Sequence, residues 1–266
     1  MHFATLASGS SGNSVLVGEG DRNFLIDCGI TAKRLLANLR MLNVSPSKIE
    51  GIIITHEHSD HIRGVGVLAR KLKIPVYATA PLWQEIDPIL GELDESQKIV
   101  IEDFARLAGL DIKLVPTSHD CRASYGLKVF GLKHTLGIAT DSGIITEEMH
   151  KNLQGCDGYI LEANHDLQKL WQGRYPWYLK KRIASDVGHL SNVQLAEALR
   201  EWLDENTQKV VLAHLSEENN TPELALSTVL KILKDSGVRK RCSQLKIRVA
   251  PRHVPHELIT LADLDQ

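Results

Sequence analysis

Residues 51–61 read GIIITHEHSDH. Ile52, Ile53 and Ile54 are β-branched and apolar, the composition of a strand buried on both faces. The next seven positions, Thr55 to His61, hold three histidines, Glu57, Asp60 and no apolar side chain. In an extended segment alternate side chains share a side, so His56, His58 and Asp60 converge, with His61 next to them. Imidazole nitrogen and carboxylate oxygen are ligands of zinc, manganese or iron(II). A solvated polar loop is the plain alternative, but four candidate ligands within six residues at a strand end make a metal site the better reading.

Working outward, single polar residues recur at the ends of other apolar runs. His119 follows IKLVPTS, Asp141 follows LGIAT and His214 follows KVVLA. Each alone is an ordinary strand-end residue. Strand ends on one edge of a sheet are where α/β folds build sites, and together with the first cluster these make seven ligands, enough for two cations. DGYILEANHD places Asn164, His165 and Asp166 at another strand end, either lining a substrate groove or forming a polar turn.

The remaining pattern organises the chain around these ends. HFATLA, VLVGEG and NFLIDCG read as strands joined by turns. TAKRLLANLRML, SNVQLAEALREWLDEN and TPELALSTVLKILKDSG have helical periodicity. IPVYAT, LDIKLVP, YGLKVFG and LKIRVA are further strands, and the helix over IRGVGVLARKL follows the histidine loop. Strands first, then strands alternating with helices, predict α/β layers in one domain, 1–266. The order repeats coarsely, which fits two sheets face to face with helices outside.

The 266 residues are 43% hydrophobic and 24% charged with a formal net charge of −2, a composition that builds a large core and announces no nucleic-acid binder by charge alone. MHFATLASGSSGNS has no basic region followed by an apolar run, and no stretch reaches the length of a membrane helix, so neither export nor membrane insertion is expected. Cys28, Cys121, Cys156 and Cys242 have no CxxC spacing and read as reduced thiols, with the cytoplasm as the default location. LWQGRYPWYLKKR (170–182) sets Trp171, Tyr175 and Trp177 beside Arg174, Lys180, Lys181 and Arg182. Such a mixture suits stacking and phosphate contact, but an amphipathic helix with its aromatics inward and lysines in water is the simpler expectation. Arg239, Lys240 and Arg241 read as a solvated basic loop.

THEHSDH after an apolar strand, followed by a lone His, a lone Asp and a final His at these distances, resembles the metallo-β-lactamase fold over nearly the whole chain. The resemblance implies a four-layer αββα sandwich and two divalent ions, Zn or Mn, with Fe also accepted. One ion would take His56, His58 and His119, the other Asp60, His61 and His214, and Asp141 would bridge them. Asp27, in FLIDCG, matches an aspartate that braces the ligand loop. A β-lactamase would need export, and flavodiiron proteins carry Glu at the position of His58. DVGHLSNVQLAEAL resembles the nuclease branch typified by RNase Z, which assigns His189 a catalytic role; otherwise His189 is a helix-start residue beside Ser191 and Asn192. LASGSSGNS, FLIDCGI, ITHEHSDHIRGV, ATDSG, LEANHD and GHLSN together resemble the YycJ (WalJ) group of 5′-to-3′ double-stranded DNA exonucleases. The expected function is therefore a dinuclear phosphodiesterase acting on DNA. Asp60 would orient the attacking water or accept its proton, and His189 would steady the phosphate or protonate the leaving oxygen. The alternatives are hydrolysis of RNA or of a small ester, thioester or cyclic phosphodiester, and an idle nucleic-acid-binding adaptor.

Overall fold

The computed structural model describes residues 1–238 and 242–262, so the basic group Arg239, Lys240 and Arg241 lies outside the described residues. The first half comprises β1 (His2–Ala7), β2 (Ser14–Glu19), β3 (Arg22–Ile26), α1 (Ala32–Met41), β4 (Ile49–Ile53), α2 (Ser59–Ile62), α3 (Val65–Leu72), β5 (Val76–Thr79), α4 (Ala80–Leu90) and β6 (Lys98–Ile101). The second comprises β7 (Phe104–Leu107), β8 (Leu110–Pro116), β9 (Tyr125–Phe130), β10 (Thr135–Ala139), α5 (Glu147–Leu153), β11 (Gly158–Glu162), α6 (Leu167–Gln172), α7 (Trp177–Ile183), α8 (Asn192–Trp202), β12 (Lys209–Ala213), α9 (Pro222–Asp235), β13 (Lys246–Val249) and β14 (Ile259–Thr260).

Among the described residues these strands form two seven-stranded sheets, ordered β14-β1-β2-β3-β4-β5-β6 and β13-β12-β11-β10-β9-β8-β7. Consecutive residues of the central strands serve different layers. Ile52 and Ile54 pack with Leu35, Leu39, Leu68 and Ile86 of α1, α3 and α4, while Ile53 enters the core between the sheets. On β12, Val210 and Leu212 pack with Leu195, Leu199 and Val229 of α8 and α9, while Val211 and Ala213 face inward. A strand with helices on one side and a second sheet on the other must be apolar at every position, which is why these strands read as unbroken apolar runs. The result is an αββα sandwich.

Helices end where their sequence says. Thr31 accepts from the Arg34 N–H to start α1, and Ser191 with Gln194 forms a capping box at α8. Sequence periodicity passes over α4, which carries Pro81 in its first turn and Pro88 near its end. Proline in a first turn removes only an N–H that lacks a helical partner, so it permits the helix while hiding its pattern. The extended geometry expected through residue 60 stops at His58, because Ser59–Ile62 turns as helix. Asp60 and His61 are thereby carried on the helical turn while His56 and His58 stay on the extended segment before it.

Topology sets the site's place. β10, β11 and β12 run parallel, and β8 runs the same way because both β8 and β10 are antiparallel to β9. Their C-terminal ends therefore share one edge, which also receives the loop after β4. Among the described residues no helix is long and apolar enough to cross a membrane.

Candidate metal centre

The histidine loop is fixed from beneath by Asp27, whose carboxylate accepts from the Thr55 N–H at 2.9 Å and the Thr55 hydroxyl at 2.7 Å. Its Oδ2 also lies 2.7 Å from His61 Nδ1. That bond commits one ring nitrogen and leaves Nε2 to face the centre. Backbone bonds clamp the loop further: Asn13 N–H donates to Asp60 O, and Cys28 N–H donates to His61 O. Asn13 adds its side-chain amide, 3.2 Å from Asp60 Oδ2 and 3.0 Å from His61 Nε2.

The second sheet supplies the rest. His119 Nδ1 donates to Gly188 O at 3.0 Å, and its Nε2 lies 3.3 Å from His58 Nδ1. Asp141 Oδ2 is 3.2 Å from His61 Nε2, and its Oδ1 is 3.2 Å from His214 Nδ1. Asp60 Oδ2 lies 3.7 Å from His61 Nε2 and 3.8 Å from His214 Nε2. Asp27, Asp141 and His214 have φ of 59°, 60° and 53°. Three non-glycine residues in the left-handed region at one sheet edge are backbone strain held in place by surrounding packing, the usual position of functional groups.

The seven side chains from residues 56, 58, 60, 61, 119, 141 and 214 thus meet, in groups whose ligand atoms lie within 4.8 Å of one another: His56, His58 and His119; Asp60, His61 and His214; and His56, His61 and Asp141. Divalent cations fit this chemistry. His56 Nε2 and His214 Nε2 are buried without a hydrogen-bond partner, an arrangement that costs about 1–3 kcal/mol per atom unless something polar fills it. The electrostatics agree. Burial and the charge of His61 push the His56 imidazole well below its usual pKa. Burial opposes the ionised form of Asp141, yet His214 and His61 hold it well below the carboxylate range. His61 is raised against burial by Asp141 and Asp27, so in the absence of cations its proton balances those carboxylates.

Glu162, wholly buried at the end of β11, went unnoticed in the sequence. Its Oε1 accepts from His189 Nδ1 at 2.7 Å and lies 3.0 Å from His214 Nδ1, while Oε2 accepts from the Ser142 and Leu190 N–H groups. The signal was available: it is the one carboxylate ending the apolar run GYILE, at the register where its neighbours end in ligands. His189 Nδ1 also stands 3.7 Å from Asp141 Oδ1. Asn164 and His165 lie beside the centre and point into protein. The Asn164 amide donates to His214 O at 3.0 Å, bracing that residue's backbone. His165 is 1% exposed with neither ring nitrogen bonded. Asp166 caps α6 by accepting from the Lys169 N–H.

Two face-to-face sheets between helix layers, with histidines and aspartates of both sheets gathered at one edge, define the metallo-β-lactamase class of hydrolase fold. The chain belongs to that superfamily: the profile of the beta-lactamase superfamily domain matches residues 22–215. It is 36% identical over 239 residues to "Exodeoxyribonuclease YycJ" of Bacillus anthracis, covering 89% of this chain and 90% of that one. It is 41% identical over 240 residues to "Exodeoxyribonuclease WalJ" of Streptococcus pneumoniae, covering 89% of each. Among solved structures, the metallo-β-lactamase fold protein YhfI from Bacillus subtilis superposes with a TM-score of 0.69 at 17% identity, over 96% of this chain and 98% of that one. The short form of human tRNase Z superposes at 0.66 with 16% identity, over 98% and 100%. Identities this low speak for the fold alone.

Proposed function

We propose that this chain, acting as one domain, is an exodeoxyribonuclease that hydrolyses phosphodiester bonds of double-stranded DNA from the 5′ end, in the cytoplasm. Two His/Asp groups meeting at Asp141, beside the Glu162–His189 pair, carry the reading. Two relatives named exodeoxyribonucleases, aligned over 89% of the chain, support it. His56, His58 and His119 would hold one divalent ion and Asp60, His61 and His214 a second, with Asp141 between them. Nitrogen and oxygen donors of this kind accept Zn or Mn, and Fe as well. When bound, such ions make water nucleophilic at neutral pH and neutralise charge gathering on the phosphoryl oxygens.

The chain's own residues do the rest. Asp60 is 21% exposed at its side chain, open enough to meet water, and its carboxylate is held ionised against burial by the neighbouring imidazoles of His214 and His61. It orients the attacking water and takes its proton. His189, with Nδ1 tied to Glu162, presents its other nitrogen to the leaving oxygen and protonates it.

End-labelled duplex DNA, RNA and a model thioester, each assayed with zinc or manganese supplied, test the reading. Progressive shortening of the duplex from its 5′ end is expected. Asp60→Ala should abolish it, and His189→Ala should slow it by about 10²–10⁴-fold. An Asp60→Ala protein that digests DNA at the parental rate would falsify the assignment, and hydrolysis of thioester but not DNA would move the chain to the small-substrate class.

A further inference from the structure

Helix α7 is polarised the wrong way for an ordinary surface helix. Lys180 is 8% exposed, its ammonium donating to Trp171 O at 2.8 Å, whereas Trp177 is 61% and Tyr178 74% exposed. Trp171, on α6, is 40% exposed and its ring stands 5.2 Å from that of Trp177 at 48°. The inward packing expected of these aromatics is therefore wrong: the lysine is inside and the rings are in water. Exposed clusters of large rings cost solvation energy that folding does not recover, and they mark recognition surfaces.

Position says what is recognised. Trp177 and Lys181 lie one turn apart on α7, with the Lys181 ammonium 5.5 Å from the Trp177 ring centroid. Tyr178 and Arg182 share the adjacent row, and Arg182 Nε donates to Asp120 Oδ2 at 2.5 Å. Asp120 follows the ligand His119. From the last residue of α7 onward the same segment joins the centre through its backbone: Ile183 O accepts from the His189 N–H, Val187 O from the Asp120 N–H, and Gly188 O from His119 Nδ1. Tyr178 therefore stands one helical turn, about 5.4 Å along the axis, from Arg182, whose partner Asp120 adjoins His119 at the rim of the centre.

We propose that Trp171, Trp177 and Tyr178 form a stacking platform for unpaired bases at the end of the strand being digested, with Lys181 against the adjoining phosphates. This deepens the nuclease reading and rests on it. Rings flanked by cations and continuous with a phosphodiester-cleaving centre suit nucleotides, because every base offers a π-face and every linkage an anion. A platform beside the centre would hold the unpaired terminal bases while the adjoining linkage enters it.

The test compares the parent with Trp177→Ala/Tyr178→Ala, both loaded with metal. Binding is measured to a phosphorothioate-protected duplex carrying a four-nucleotide 5′ overhang, and hydrolysis to bis(p-nitrophenyl) phosphate. Stacking contributes enough per base that overhang affinity should fall about 5- to 150-fold in the double variant. Hydrolysis of the small diester should stay at the parental rate, and the parent's tryptophan fluorescence should be quenched on adding DNA. Parental DNA affinity and digestion in the variant would overturn the platform. So would a parent dimer that becomes monomeric in the variant with DNA affinity unchanged, since the patch would then be a surface between copies. If the parent cleaves the small diester but neither binds nor digests DNA, the nuclease reading itself fails and the platform falls with it.

Discussion

Asp27 serves three donors from a left-handed backbone, and one of them is His61 Nδ1. Asp27→Asn keeps the shape but replaces one acceptor with a donor, so it cannot satisfy Thr55 and His61 together. Metal affinity should fall about 10–100-fold, read by competition with a chelator of known affinity; unchanged affinity would show that His61 needs no orienting partner. His165 gives a pH effect. Burial pushes its pKa down to about 4 from an ordinary 6.5, so the unfolded chain binds the extra proton between those values. Stability is therefore intact above pH 6.5 and declines as pH falls toward 4, by about 3 kcal/mol for this group. Urea midpoints across that range should decline more steeply for the parent than for His165→Gln; equal slopes would contradict the assignment. The clustering of the histidine loop was legible because its candidate ligands are neighbours in sequence. Glu162 was not, because its partners (His189, His214 and the Ser142 and Leu190 N–H groups) come from distant segments.

At the scale of elements, the loops that carry ligands are locked by close approach. A Cβ on Gly29 would lie 1.5 Å from Asp60 O, so Gly29→Ala must displace the backbone of a proposed ligand. Destabilisation of roughly 1–3 kcal/mol is expected, together with lost metal content, measured by thermal melting and elemental analysis. A fully loaded Gly29→Ala protein would mean that the loop tolerates the shift. Helices α1, α8 and α9 were legible because caps and apolar spacing agreed. The prolines of α4 obscured its pattern. For α7 the pattern misled: aromatics were expected inside by hydrophobicity, and only the packing of Lys180 under Trp171 reveals that this helix faces outward.

Over the whole molecule, the centre joins two sheets that also share an apolar core. The 56–61 loop belongs to the first sheet, while His119, Asp141 and His214 belong to the second. Bound cations stabilise only the folded state. Saturation at about a thousand times the dissociation constant contributes about 4 kcal/mol, so chelation should lower the melting temperature by roughly 10 °C. Chelator-insensitive melting of a protein shown to contain metal would contradict the cross-link. The sequence alone determined the layer pattern, because a strand buried on both faces must be apolar throughout, and it determined the ligand types, because coordination chemistry is a property of side chains. The tertiary structure alone decided which distant residues share a site, that Glu162 holds His189, and that the aromatics of α6 and α7 face water. Those facts depend on the direction and register in which strands far apart in sequence come together, and no local pattern encodes that.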